Sequence, residues 1–318
     1  MSDPILSRLD EALLSWQPPE VPEDIPQGDM PGDKVWIGPQ SIEKAGVTFR
    51  ALLPLLRAAL AASLNRRVVV AVTGGSGVGK TCVSALLTYY LNRLGVGAYT
   101  LSGDNYPKRI PPQNDAERMR VFRTAGVRGM LAAGVYSPEA AKKLKELQLS
   151  DLDPDPAQCA AHPWLAAYQQ AGRAALSEYL GTELEQEYDQ LEKVLKDFDN
   201  GAQKLWLKRL GRDAEALWYD EVDFSGVNVI VLEWTHGNSG RFAGVDIPIL
   251  LSSTPAETRA YRLARGRDAN ADTAFITMVL ELEQAKLEAR ASAAKLIVSK
   301  GCRLLSYEEY QAEMNAGR

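Results

Sequence analysis

The chain has 318 residues, 46% hydrophobic and 24% charged, an ordinary globular balance that one α/β domain with an insertion accounts for. A formal net charge of -5 argues against a broad footprint for nucleic acid or an anionic membrane and leaves a small molecule or a protein as the expected partner. Cys82, Cys159 and Cys302 stand far apart, without metal-ligand spacing, and suit reduced thiols.

The first residues, "MSDPILSRLDEALLSW", mix acids with apolar positions and lack the basic region and apolar core of a secretory signal. Ile5, Leu9, Leu13 and Trp16 step along one face and predict a short amphipathic helix over 4–16. The next stretch, "QPPEVPEDIPQGDMPGD", holds five prolines and five acids, which preclude a regular helix or a central strand. Residues 1–40 therefore read as a helix and a proline-rich arm over the surface, packing passively or serving as a regulatory or oligomer-clasping element. The apolar run at 51–64 is too short to span a bilayer and carries Arg57, so a cytoplasmic enzyme is expected.

From about Ser41 the compact part begins, with a helix over 48–64, a strand at 66–73, a helix from Lys80 to Arg93 and a strand at 97–104. That order is a right-handed βαβ unit with a buried parallel sheet. Later strands are expected at 227–234, 246–253 and 295–299, making a P-loop NTPase fold: a five-stranded, mostly parallel sheet flanked by helices. Between about 112 and 222 the pattern turns to helix and loop and reads as a helical insertion. Ser137 and Pro138 form a helix start, and Leu184, Tyr188, Leu191, Leu195 and Phe198 form a stripe that "NG" at 200–201 closes.

Gly74, four residues, then Gly79, Lys80 and Thr81 satisfy G-x-x-x-x-G-K-[ST] between a strand and a helix. Gly74, Gly75, Ser76, Gly77, Val78 and Gly79 would point backbone N–H groups at phosphates, with the dipole of the following helix adding to the attraction. Lys80 would reach the β- and γ-phosphates, and the Thr81 hydroxyl would ligate Mg²⁺. ATP and Mg²⁺ are the expected cofactors. Asp104, at the carboxyl end of the second strand in "LSGDNYPKR", is placed to accept a proton from an attacking hydroxyl. Tyr106, Lys108 and Arg109 follow at once and suit an acceptor carrying its own negative charge. Lys208, Arg209 and Arg212 in "LKRLGR" offer either further acceptor contacts or a solvated basic turn. Thr235, His236, Asn238 and Ser239 form a second polar loop at a strand end, with His236 a candidate substrate contact.

"GGSGVGKT", "SGDNYPKR", "VIVLEWTHG", "STPAETRAYRLARGRD" and "AAKLIVSKG" together resemble the uridine kinase and phosphoribulokinase group of P-loop kinases, over about 66–110 and 225–300. The resemblance implies that Asp104 is the catalytic base and that Glu233, ending the Walker B strand, helps Thr81 to organise Mg²⁺. It also makes Arg262, Arg265 and Arg267 candidates for a lid over the phosphates, Arg265 as a catalytic charge and the other two as nucleotide contacts. Three guanidinium groups within two helical turns suit a bidentate grip on phosphate, although a charged helix end paired with Asp268 and Glu257 would also explain them.

Where uridine kinases carry Asp-His-Pro, this chain has Ala161, His162 and Pro163, a departure that argues against a pyrimidine nucleoside while keeping His162 as a candidate contact. The reading is an ATP-dependent kinase acting on a hydroxyl of a small metabolite, nucleoside, sugar or similar. A nucleotide-switch or chaperone-type NTPase and an adenylylsulfate-kinase-like enzyme are the alternatives. Assembly into a homo-oligomer is left open.

Overall fold

The computed structural model describes residues 3–32, 36–211, 216–264 and 273–316. Two compact units emerge: one formed by Met1–Tyr106, Glu187–Arg259 and Lys286–Arg318, the other by Pro107–Gln186 and Ala260–Ala285.

The first unit opens with α1 (Pro4–Ser15), capped by the Asp3 carboxylate, which accepts from the N–H groups of Ile5 and Leu6. Leu9 and Ala12 are the residues it buries, while Leu13, expected on the same stripe, faces outward. Helix α2 (Pro39–Ala62) starts nine residues before the expected 48, because Pro39 supplies a pre-set first turn and the polar segment after it continues the coil. By length and composition alone α2 is apolar enough to cross a membrane, but Phe49, Leu52, Leu56 and Leu60 are buried in the core.

Strand β1 (Val68–Gly74) is buried along its whole length and leads into α3 (Lys80–Arg93) and β2 (Ala98–Ser102). Helix α4 (Pro111–Ala132), α5 (Pro138–Leu149) and α6 (Leu165–Tyr179) belong to the second unit. The chain then returns to the first with α7 (Tyr188–Asp199), β3 (Lys204–Leu210), β4 (Leu217–Asp223), β5 (Val229–Glu233) and β6 (Ile247–Leu251). Helices α8 (Pro255–Ala264) and α9 (Ala274–Arg290), strands β7 (Leu296–Val298) and β8 (Leu304–Leu305), and α10 (Tyr307–Ala316) complete the described chain.

Among the described residues the main sheet is six-stranded, in the order β2-β5-β1-β6-β7-β8. The five expected strands are all present and run parallel, and β8 adds a short antiparallel edge that two apolar residues were too brief to signal. Side chains alternate across the sheet. Val68, Val70 and Val72 of β1 join α1, α2 and α3 in one core, whereas Val69 and Ala71 join α7, Phe224 and Trp234 in another.

The expected insertion over about 112–222 differs from the observed division in two respects. The second unit runs from Pro107 to Gln186 and also takes in Ala260–Ala285. Residues 187–222 hold α7 and an antiparallel hairpin, β3 with β4, in which Leu205 and Leu207 face the core. The period-two pattern of "KLWLKRL" was masked by its charges, so "LKRLGR" is largely strand rather than a basic turn. The stripe beginning at Leu184 enters a helix only at Tyr188, and Gly201 closes that helix with φ of +88°. In the second unit, Phe122 of α4 meets Tyr168 of α6 edge to face at 5.4 Å. Ser137 accepts the Ala140 N–H at 3.1 Å as the expected cap of α5.

Leu9 is fully buried on α1, whereas its neighbour Leu14 is 90% exposed. Leu9→Ala should therefore lower the free energy of unfolding by about 2–5 kcal/mol in urea denaturation. Leu14→Ala should change it by less than about 0.5 kcal/mol.

Candidate functional site

The phosphate-type loop joins β1 to α3. Gly74 has φ of +148°, and a side-chain Cβ there would lie 2.6 Å from the Leu251 carbonyl oxygen, so only glycine lets β1 end this close to β6. Gly75, Ser76 and Gly77 are half-buried, Val78 is buried, and Gly79 precedes α3 in a left-handed conformation without a side-chain cap. The first N–H groups of α3 are thus left to an anion. Lys80 lies back across the loop, its Nζ donating to the Gly75 carbonyl at 3.2 Å. Beneath the loop the buried Lys44 of α2 donates to the Val78 carbonyl at 3.4 Å, and burial pulls its pKa down.

Parallel pairing sets Ser102 of β2 and Val72 of β1 against Glu233, the last residue of β5. The buried Glu233 carboxylate accepts from the Thr81 hydroxyl at 3.2 Å through Oε1 and from the Ser102 hydroxyl at 3.4 Å through Oε2. A hydroxyl and a carboxylate in contact are hard oxygen donors that suit Mg²⁺ completed by phosphate and water. Among the described residues no cluster of three or more His, Cys, Asp or Glu could hold a metal, so an ion at this site would depend on the nucleotide for its remaining ligands.

Directly after Ser102 the chain makes a single 3₁₀ turn, Gly103–Asn105. A Cβ at Gly103 would sit 2.0 Å from the Trp234 indole, so this turn is pressed onto the residue that follows Glu233. From Leu101 to Tyr106 every residue is buried except Asp104, which is exposed. The expected base therefore stands on a fixed turn, one residue away from the Ser102 that touches Glu233.

Tyr106, expected to meet an acceptor, is 1% exposed in the core beside Tyr188 and Trp234, and its hydroxyl has no hydrogen-bond partner among the described residues. Burial drives its pKa far above the usual tyrosine value. His236 is also buried, its ring edge-on to Trp234 at 5.2 Å. Arg209 is committed to internal ion pairs with Asp29 at 2.8 Å and Asp220 at 3.0 Å, and Lys208 pairs with Glu187 at 2.5 Å. These surroundings give Tyr106, His236 and Arg209 packing and pairing roles in place of the solvent-facing ones expected.

Lys108, Arg109, His162 and Arg262 belong to the second unit. There Lys108 is exposed, Arg109 donates to the Tyr179 hydroxyl at 3.1 Å, the His162 ring lies 5.7 Å from that of Trp164, and Arg262 is buried. Arg212, Arg265 and Arg267 lie outside the described residues.

Sequence reasoning missed Asp29, in the proline-rich arm. Its carboxylate is almost fully buried and accepts from the Ser102 N–H at 2.6 Å, Arg209 Nη1 at 2.8 Å, the Tyr99 hydroxyl at 3.1 Å and Asn105 Nδ2 at 3.3 Å. The only sequence signal was an acid flanked by Gly28 and Met30 within a tract rich in acids. Burial pushes the Asp29 carboxyl up to about 6, against the opposing pull of Arg209 and the Ser102 N–H. The folded value lies above the 3.8 of an ordinary aspartate, so the native chain holds this proton more tightly than the unfolded one. Stability contributed by Asp29 is thus greatest below about pH 4 and declines as the pH rises to about 6. Urea denaturation should show the stability of the native chain falling relative to Asp29→Asn across that window. A relative gain there would contradict the burial argument.

No family model matches the chain. It is 39% identical over 236 residues, 74% of its length, to the bifunctional alpha-galactosidase/sucrose kinase AgaSK of Mediterraneibacter gnavus. That match spans 20% of the curated relative, so the chain covers about a fifth of the longer protein. Among solved structures, a provisional fructose transport system kinase from Silicibacter sp. TM1040 aligns over 78% of this chain and 94% of its own, at 15% identity and a TM-score of 0.46. A provisional uridine kinase from Bacillus stearothermophilus aligns over 78% and 96%, at 13% identity and a TM-score of 0.42. The resemblance to P-loop kinases carried by the motifs is matched by the observed sheet and phosphate-type loop and by the 39% identity to part of a protein named for a sucrose kinase.

Proposed function

We propose that the chain is an ATP-dependent kinase that transfers the γ-phosphoryl group to a hydroxyl of a small sugar or similar metabolite. The observation that carries this reading is the pair of contacts from Glu233 to Thr81 and to Ser102, which ties the phosphate loop to the strand end that bears Asp104. A hydrolytic switch needs a phosphate grip but no carboxylate on the neighbouring strand. A kinase needs both.

In this reading the loop amides from Gly75 to Gly79 and the start of α3 bind the β- and γ-phosphates. Lys80 leaves the Gly75 carbonyl to neutralise charge that builds on the transferred group. Thr81 and Glu233 would hold Mg²⁺, which supplies charge neutralisation across the phosphate oxygens when bound. Asp104 orients the acceptor hydroxyl and takes its proton at a carboxylate oxygen as the O–P bond forms and the bond to ADP breaks. Most of the acceleration comes from placement and charge stabilisation. The sugar class rests on the name of the curated relative and on the missing acid before His162.

A screen of ATP consumption over hydroxyl metabolites, sucrose first, with phosphorylated product read by ³¹P NMR, tests the proposal. Asp104→Asn should lower turnover by about 10²- to 10⁴-fold while Mg·ATP still binds. Lys80→Ala should weaken Mg·ATP binding itself. Equal turnover in Asp104→Asn, or ATP hydrolysis that no hydroxyl compound stimulates, would remove the kinase reading.

A further inference from the structure

Asp29 lies in the arm, outside every motif that points to phosphoryl transfer, yet it is the residue on which the Asp104 turn converges. Strand β2 forms one edge of the sheet, pairing only with β5, so the outward N–H of Ser102 lacks a partner strand. Asp29 Oδ1 takes the place of that strand at 2.6 Å and also receives Asn105 Nδ2 at 3.3 Å. Its Oδ2 receives Arg209 Nη1 at 2.8 Å and the Tyr99 hydroxyl at 3.1 Å. Arg209 Nη2 closes the ring of contacts by donating to the same tyrosine at 3.1 Å, and Nε reaches Asp220 at 3.0 Å.

Asn105 is held from its other end as well, its Oδ1 accepting the Leu210 N–H of the β3–β4 hairpin at 3.0 Å. The residues two before and one after Asp104 are therefore both fastened to one carboxylate, and Gly103 is pressed on Trp234. Asp104 alone of this stretch faces solvent. A side chain 7% exposed that accepts four hydrogen bonds is a costly feature for a passive arm.

We infer that Asp29 is a positioning residue: it clamps the Gly103–Asn105 turn from the arm and thereby sets the direction of the Asp104 carboxylate. The inference rests on the reading of Asp104 as the base. It gives the proline-rich arm a part in turnover without contact with either substrate.

The test uses the full chain with Asp29→Ala, the milder Asp29→Asn, and the arm control Asp10→Asn, which breaks only the exposed pair with Arg57. Four quantities are read: kcat and KM with sucrose or the best acceptor of the screen, Mg·ATP affinity by calorimetry, and amide hydrogen exchange over 102–106. Asp29→Ala should lower kcat by about 100-fold, the scale of a misplaced catalytic group, with Mg·ATP affinity unchanged. Exchange should quicken at 102–106 and not at 68–74. Asp29→Asn, which keeps an acceptor for Ser102, should fall between, and Asp10→Asn should match the native chain.

Native kcat and native exchange in Asp29→Ala would overturn the inference. So would a loss of Mg·ATP affinity in step with kcat in both Asp29 variants, since that marks general loss of structure. If the native chain phosphorylates no acceptor, the kinase reading fails, and exchange at 102–106 still decides whether Asp29 holds the turn.

Discussion

The structure depends on one contact, the Glu233 carboxylate lying between the hydroxyls of Thr81 and Ser102. Three strands must end in step for that contact to exist, and the parallel register supplies it: Val72 and Ser102 both pair with Glu233. A slip of one residue in either neighbour would turn the terminal side chain to the opposite face of the sheet. The apolar strands β1, β2 and β5, packed on both faces, hold that register against slippage. The polar edge is thus an outcome of the core. Open parallel sheets gather their ligands at this edge for the same reason.

Local chemistry was legible in the sequence, and tertiary chemistry was not. Gly74, Gly79, Lys80 and Thr81 are informative because a tight loop and a helix start require those residue types at that spacing. Glu233 and Asp104 could be placed because each follows an apolar strand whose end is visible in the pattern. Tyr106 misled because an aromatic residue two positions beyond an exposed acid gives no sign of burial, and here it fills the core against Trp234. Arg209 misled because its strand was hidden: the alternation of Leu205 and Leu207 is interrupted by Lys204, Lys208 and Arg209, whose partners Glu221, Glu187 and Asp220 are distant in sequence. The boundaries of the second unit were illegible for a related reason, since Pro107–Gln186 is joined in it by a segment 74 residues further along the chain.

Asp29 shows how much a proline-rich stretch can conceal. Prolines keep the arm extended and remove its own donors, which leaves its carboxylates free to accept from other elements. At Asp29 the donors are the outward N–H of an edge strand, an amide, a phenol and a guanidinium. Desolvation works against the ionised carboxylate, and these four donors offset it. The result fixes one turn from three directions: the sheet, the arm and the hairpin.

The most direct test of the account is a crystal structure of the chain with Mg²⁺ and a non-hydrolysable ATP analogue. The account predicts phosphates enclosed by the Gly74–Gly79 amides, the ion bound to the Thr81 hydroxyl, and the γ-phosphate facing Asp104 across a gap that a hydroxyl group fills. A nucleotide seated away from that loop, or an Asp104 carboxylate directed away from the γ-phosphate, would contradict it.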